Sequence, residues 1–234
     1  MDSSLWVAKT GLDAQQRRMT VVANNLANVN TTGFKRDRAV FEDLLYQTIR
    51  QPGAQVGQDA NSPTGLVLGT GTRVVATEKI HSQGNMIQTD NALDLAIDGD
   101  GFLQTLRQDG NIGYTRDGSL KLNNVGQLVT ASGDLLQPAI TIPANASSIT
   151  IGKDGTVSVQ TFDQAAGQVV GNIQVASFIN PAGLQAMGGN VYVQTAASGE
   201  AQVLVPSQDG AGSLVQGALE ASNVNVVESM VNML

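Results

Sequence analysis

A chain of 234 residues is long enough for one large domain, or for a domain with helical extensions. A net charge of −7 without any basic run excludes the electrostatic footprint of a nucleic-acid or anionic-membrane partner. The absence of cysteine excludes disulfides, thiolate metal sites and a cysteine nucleophile. Few aromatics (4 %) beside 26 glycines favour short strands and tight turns over an aromatic-lined pocket.

No apolar run reaches the roughly 18 residues of a membrane span, and Met1–Lys9 lacks the basic-then-apolar pattern of a cleavable secretory signal. The expectation is a protein soluble at synthesis that, if it leaves the cytoplasm, does so on an uncleaved signal.

Residues 4–29 predict one helix. Leu5, Leu12, Met19 and Leu26 recur every seven residues, and Ala8, Val22 and Val29 each follow one of them by three. That is a heptad seam, interrupted by the polar Gln15. Asp2, Ser3 and Ser4 suit the N-terminal cap, whereas Gly11 costs about 1 kcal/mol against alanine, so the prediction rests on the seam. Closure is expected near Asn30–Gly33. The seam can pack on the chain's own core or against another helix. Asn24, Asn25 and Asn28 then read as polar residues of a helix–helix interface, where amides fix register.

Residues 34–71 predict an extended arm or linker. Phe34–Tyr46 mixes Arg and Lys with Phe41, Leu44 and Leu45, as in a short second helix or an ordered arm. Beyond Tyr46 and Arg50, the polar run containing Pro52, Gly53, Pro63 and Gly65 cannot bury enough apolar surface for a core of its own. It is either a linker or an arm that orders against a neighbouring subunit.

Residues 72–218 predict a β domain. Alternating apolar residues recur at Leu93/Leu95/Ile97, Leu120/Leu122, Ile140/Ile142, Ile149/Ile151, Val157/Val159, Ile173/Val175, Val191/Val193 and Val203/Val205. Asp109-Gly110, Asp117-Gly118 and Asp154-Gly155 supply turns. Short strands with no helical pattern between them imply antiparallel sheets in a sandwich or irregular barrel. Residues 219–234 begin a C-terminal helix, with Asn225 and Glu228 resembling a capping box and Val226, Val227, Met230, Met233 and Leu234 at helical spacing. About ten residues make a marginal helix alone, so the segment reads as the start of a longer one.

Catalytic or metal chemistry finds little support. Asp94, Asp98 and Asp100 superficially resemble a calcium loop, but a loop starting at Asp94 puts Ala96 at its third position and Thr105 at its twelfth. The segment reads instead as a strand–turn–strand corner. His81, the one histidine, has no Gly-x-Ser-x-Gly partner and is expected on a surface strand. Gly69–Arg73 lacks the third glycine of a dinucleotide loop. No catalytic, cofactor-binding or metal residue is expected.

Ser4-Leu5-Trp6, Ala23-Asn24-Asn25-Leu26-Ala27-Asn28-Val29 and Thr32-Gly33-Phe34-Lys35 closely resemble the N-terminal motif of bacterial flagellar rod and hook proteins. Gly99–Phe102, Tyr114–Gly118 and Leu219–Val224 resemble later motifs of that family, in matching order. Phe41–Gln55 resembles the extra arm of its distal rod members. The resemblance implies a structural subunit of the distal rod, without a cofactor, whose terminal helices pack as a coiled-coil-like inner tube of a hollow helical shaft. It further implies export without a cleaved signal peptide, location in the basal body across the periplasm, and torque transmission to the hook. Expected partners are further copies, other rod subunits, the hook protein, the P and L rings and the flagellar export apparatus. The family continues past Met233-Leu234 through a longer helix that pairs with the first one, a departure that implies either that the sequence is cut short or that native assembly is impaired. Alternatives are a hook or proximal rod subunit, or a secreted carbohydrate-binding β domain; the last needs an aromatic platform, yet the one Trp, Trp6, lies on the terminal helix.

Overall fold

The computed structural model describes residues 3–52, 64–162, 164–231 and 233. It is mostly β, antiparallel in every pairing, with one long N-terminal helix and one short C-terminal helix. Two compact units divide the chain: a helical unit of residues 1–26, 37–79 and 227–234, and a β unit of residues 27–36 and 80–226.

Helix α1 (Ser3–Ala27) opens the helical unit, and Asp2 lies outside the described residues. Its tightest face carries Ala14, 6 % exposed, and Asn25, also 6 % exposed. Strand β1 (Asp37–Asp43) follows, then β2 (Tyr46–Arg50), β3 (Leu66–Gly69) and β4 (Thr72–Lys79). β1 pairs with β4 from Asp37↔Lys79 to Asp43↔Thr72, and β2 pairs with β3 beyond it. The four strands therefore form two successive ladders, so of the two expectations for Phe34–Tyr46, a short helix or an ordered arm, the helix is not formed. Phe41 pairs with Val74 and Tyr46 with Gly69, partners that lie tens of residues away in sequence and that local periodicity cannot show. Gly71 closes the turn at φ +119°, close against Thr10 of α1, where a Cβ has no room.

The β unit holds the hydrophobic core. Its largest sheet has nine short strands, accompanied by a three-stranded sheet over 146–172 and smaller pairs. Alternation explains the packing. The strand Thr156–Thr161 buries Val157 and Val159 while Gln160 faces solvent. The preceding turn is set by Asp154, whose carboxylate accepts the Thr156 amide at 3.2 Å and its hydroxyl at 2.8 Å. These bonds hold the Asp154 carboxyl below its ordinary pKa.

Leu95, Ile97, Leu103, Leu136, Val175 and Leu214 lie at the centre of one core cluster. Ile140 and Ile142 belong to it although they lie outside any strand. Gly99 and Gly101, both at positive φ, turn the corner between strand Leu95–Asp98, paired with 213–216, and strand Phe102–Leu106 of the large sheet. A second cluster gathers Phe102, Tyr114, Phe178 and Tyr192. His81 belongs with these aromatics rather than on a surface strand, its ring edge-on 5.5 Å from both Phe102 and Tyr192. An imidazole offers apolar ring area as well as polar nitrogens, which is why pattern alone places it poorly.

Candidate functional site

Three features bear on function. They are the stripe on α1, the β2–β3 arm, and a buried charge cluster inside the β unit.

The expected seam faces solvent over most of its length. Leu5 is 67 % exposed, Leu12 72 % and Met19 49 %, with Ala8 also exposed and Val22 and Leu26 half-buried. Ala14 and Asn25 occupy a different face, so contact with the chain's own unit leaves the seam uncovered. A groove of about 530 Å³ follows the stripe, lined by Leu12, Gln15, Met19, Ala23 and, from the other end of the chain, Met233. Val29 falls past the helix end at Ala27. The short helix α2 (Val226–Val231) likewise exposes Val227 at 72 % and Met230 at 52 %, with Val226 half-buried. Leu234 lies outside the described residues.

The three asparagines separate. Asn25 is buried and works within its own unit: its amide accepts the Asp37 N–H and donates to the Asp37 carbonyl, both at 2.8 Å. A buried amide must be paired, and the first residue of β1 supplies both bonds. Asn28 is half-buried and accepts the Thr31 hydroxyl at 3.3 Å, and Asn24 is exposed.

In the arm, β2 is exposed throughout, with Tyr46 at 59 % and Ile49 at 62 %; Arg50 and Pro52 are exposed as well. Tyr46 donates to the Asp43 carboxylate, which raises its hydroxyl pKa. Gly65 is required by the close approach of Arg50 and Pro52, at 2.7 Å from where a Cβ would stand. Gly53 and Pro63 lie outside the described residues. A two-stranded ribbon is marginal by itself in water, so these apolar side chains call for a cover.

The charge cluster escaped the reading of the sequence. Lys35 and Glu220 have fully buried side chains and pair at 2.5 Å, and Arg116, 3 % exposed, meets the second Glu220 oxygen at 3.2 Å. Most of the remaining polar capacity is used, although the buried Arg116 Nε has no hydrogen-bond partner among the described residues. Lys35 donates to the Ser82 carbonyl, Arg116 to the Gly99 carbonyl, and the Gly84 N–H to Glu220. Burial pushes the Lys35 ammonium below its ordinary pKa, opposed by its bond and charge interaction with Glu220. The Arg116 guanidinium also lies over the Phe102 ring at 5.4 Å. Gly33, at φ +67°, makes room for the backbone of Arg116 and donates its N–H to the Glu220 carbonyl. The available signal was the presence of Lys35, Arg116 and Glu220 in three separate motifs: Gly33-Phe34-Lys35, Thr115-Arg116-Asp117 and Leu219-Glu220-Ala221.

Among the described residues, no group of three or more potential ligands could hold a metal ion. An uncovered apolar helix, an exposed ribbon and a closed β core define a subunit built for association.

Comparison with known proteins agrees. Residues 5–35 match the model of the flagella basal body rod protein family. Residues 96–159 match the flagellar hook protein FlgE/F/G D1 domain, and residues 215–234 the flagellar basal body rod FlgEFG protein C-terminal region. A flagellar basal-body rod protein FlgG from Buchnera aphidicola (subspecies Schizaphis graminum) is 53 % identical over all of this chain and 90 % of its own length. One from Caulobacter vibrioides is 46 % identical over 99 % of this chain and 88 % of its own length. A flagellar hook protein FlgE from Helicobacter pylori is 42 % identical over 57 % of this chain but only 19 % of its own length. The chain belongs to the FlgG family of flagellar basal-body rod proteins.

Proposed function

We infer that the chain is a structural subunit of the flagellar distal rod, whose copies build a hollow helical shaft across the periplasm and carry torque to the hook. The observation that carries this reading is near-full-length similarity to rod proteins combined with an apolar stripe that the chain's own fold leaves in solvent. Met233 at the stripe's groove supports a tube in which N- and C-terminal helices pack as a coiled coil. Leu5, Ala8, Leu12, Met19, Val22, Leu26, Val29, Val226, Val227 and Met230 form its apolar contacts. Asn24 and Asn28 are its polar members, whereas Asn25 is already committed to Asp37. The arm, including Tyr46, Arg50 and Gly65, orders against adjacent subunits. Partners are further copies, the other rod subunits, the hook, the P and L rings, and the export apparatus that reads an uncleaved signal.

The role of the β unit is mechanical rather than catalytic. Electron microscopy of basal bodies from cells lacking the gene tests the whole reading. The expected image has neither distal rod nor hook, and a complete rod would overturn it.

A further inference from the structure

The chain enters the β unit at Ala27, leaves at Arg36, returns at Ile80 and leaves again at Val226. The segments beside three of these passages are bonded side by side within the unit. Asn223 joins all three through one amide. Its oxygen accepts the Arg36 N–H at 2.8 Å, and its nitrogen donates to the Ile80 carbonyl at 2.8 Å and the Ser82 carbonyl at 3.1 Å. The Ile80 N–H donates to the Arg36 carbonyl at 2.9 Å. Directly adjacent, Lys35, Glu220 and the Gly84 N–H tie the same segments together, and Arg116 anchors them to the large sheet's side of the unit.

A fully buried ion cluster is weak evidence for stability, because desolvation offsets most of the attraction. What such a cluster does well is specify one arrangement, since any slip strands a buried charge. We propose that Lys35, Arg116, Glu220 and Asn223 form a clasp that holds the entering and leaving segments in one fixed arrangement. Load passing along the chain then crosses at a bonded triple segment rather than at single flexible strands. Its residues are positioning residues for the shaft, and this mechanical role rests on the rod reading given above.

Hydrogen exchange on the whole chain separates a clasp from isolated contacts. Asn223→Ala removes the acceptor of the Arg36 amide, so faster exchange at Arg36 alone is trivial. The amides of Ile80, Gly33 and Gly84 have other acceptors. In a clasp they loosen together, by about tenfold, the loss expected for one net hydrogen bond, while Ile97 and Leu103 in the core stay protected. A change confined to Arg36 would overturn the proposal. Asn223→Asp, which keeps the Arg36 acceptor but loses the bonds donated to Ile80 and Ser82, replaces the alanine variant should that fail to fold.

In the cell, Asn223→Ala should impair swimming although the protein accumulates normally. Unchanged motility beside loosened exchange would overturn the mechanical role. Normal motility in cells lacking the gene altogether would instead strike the rod reading, and the exchange pattern would still decide whether the clasp exists.

Discussion

The Glu220 carboxylate bonds two cations and the Gly84 N–H at once, so its loss should outweigh that of either cation. Glu220→Ala leaves Lys35 buried without its carboxylate, and breaking a buried pair from one side costs about 3–5 kcal/mol. Urea denaturation of the β unit should register that loss. Lys35→Met should cost less, because Arg116 still faces Glu220. The same variant exposes a pH dependence. The Lys35 pKa lies below its ordinary 10.5 in the folded chain. Between those two values the unfolded chain binds a proton that the folded chain has released, so this group's contribution to stability rises with pH across that window. Below the window the full burial cost is present. Urea titrations at about pH 7 and about pH 10 should therefore show the native chain gaining on Lys35→Met as pH rises. An equal difference at both values would contradict the assignment.

At the scale of elements, α1 has two faces with opposite expectations. Leu12 is 72 % exposed, so Leu12→Glu should change the chain's stability by no more than about 0.5 kcal/mol, as other surface substitutions do. In cells it places a charge on the helix–helix contact proposed for the assembled rod, and motility should be lost. Ala14 is buried, and Ala14→Glu should cost about 2 kcal/mol or more through desolvation of its carboxylate. Loss of helical circular dichroism on heating reads both. A Leu12→Glu variant that melts early would mean that the seam packs on its own unit. The arm offers a deletion. The Leu44 N–H donates to the Gly71 carbonyl at 2.9 Å, and the Thr70 hydroxyl to the Leu45 carbonyl at 2.6 Å, so the arm's two ends already meet. Excising residues 46–69 should leave β1 paired with β4 and the β unit's transition within about 1 kcal/mol. Broadened unfolding of the β unit would show that the arm supports the fold.

The whole molecule distributes its core unevenly. Among the described residues, Ala14 is the one buried hydrophobic residue of the helical unit, and both hydrophobic clusters lie in the β unit. A helix with one apolar face in water is stabilised mainly by packing that it lacks here. Unfolding of the separate chain should therefore occur in two phases. Helical signal should go first, and the tyrosines of the aromatic cluster should report a later, cooperative transition. Coincident transitions by both probes would mean one cooperative body.

Periodicity alone made the long helix and many of the strands legible, because an apolar residue every seven positions, or every two, reflects a single buried face. It also made the apolar stripe on α1 legible: Leu5, Leu12 and Met19 are apolar whether or not this chain covers them. The destination of that surface could not be read, since packing on one's own core and packing on a neighbour demand the same pattern. Only the fold placed Ala14 and Asn25 inward and left the seam in solvent. The ladders of the arm were likewise hidden, because pairing residue 43 with 72 depends on partners far away in sequence. So was the meeting of Lys35, Arg116 and Glu220, whose burial is decided by tertiary packing: each charge sits in a separate segment of the chain, and 185 positions separate Lys35 from the carboxylate that neutralises it.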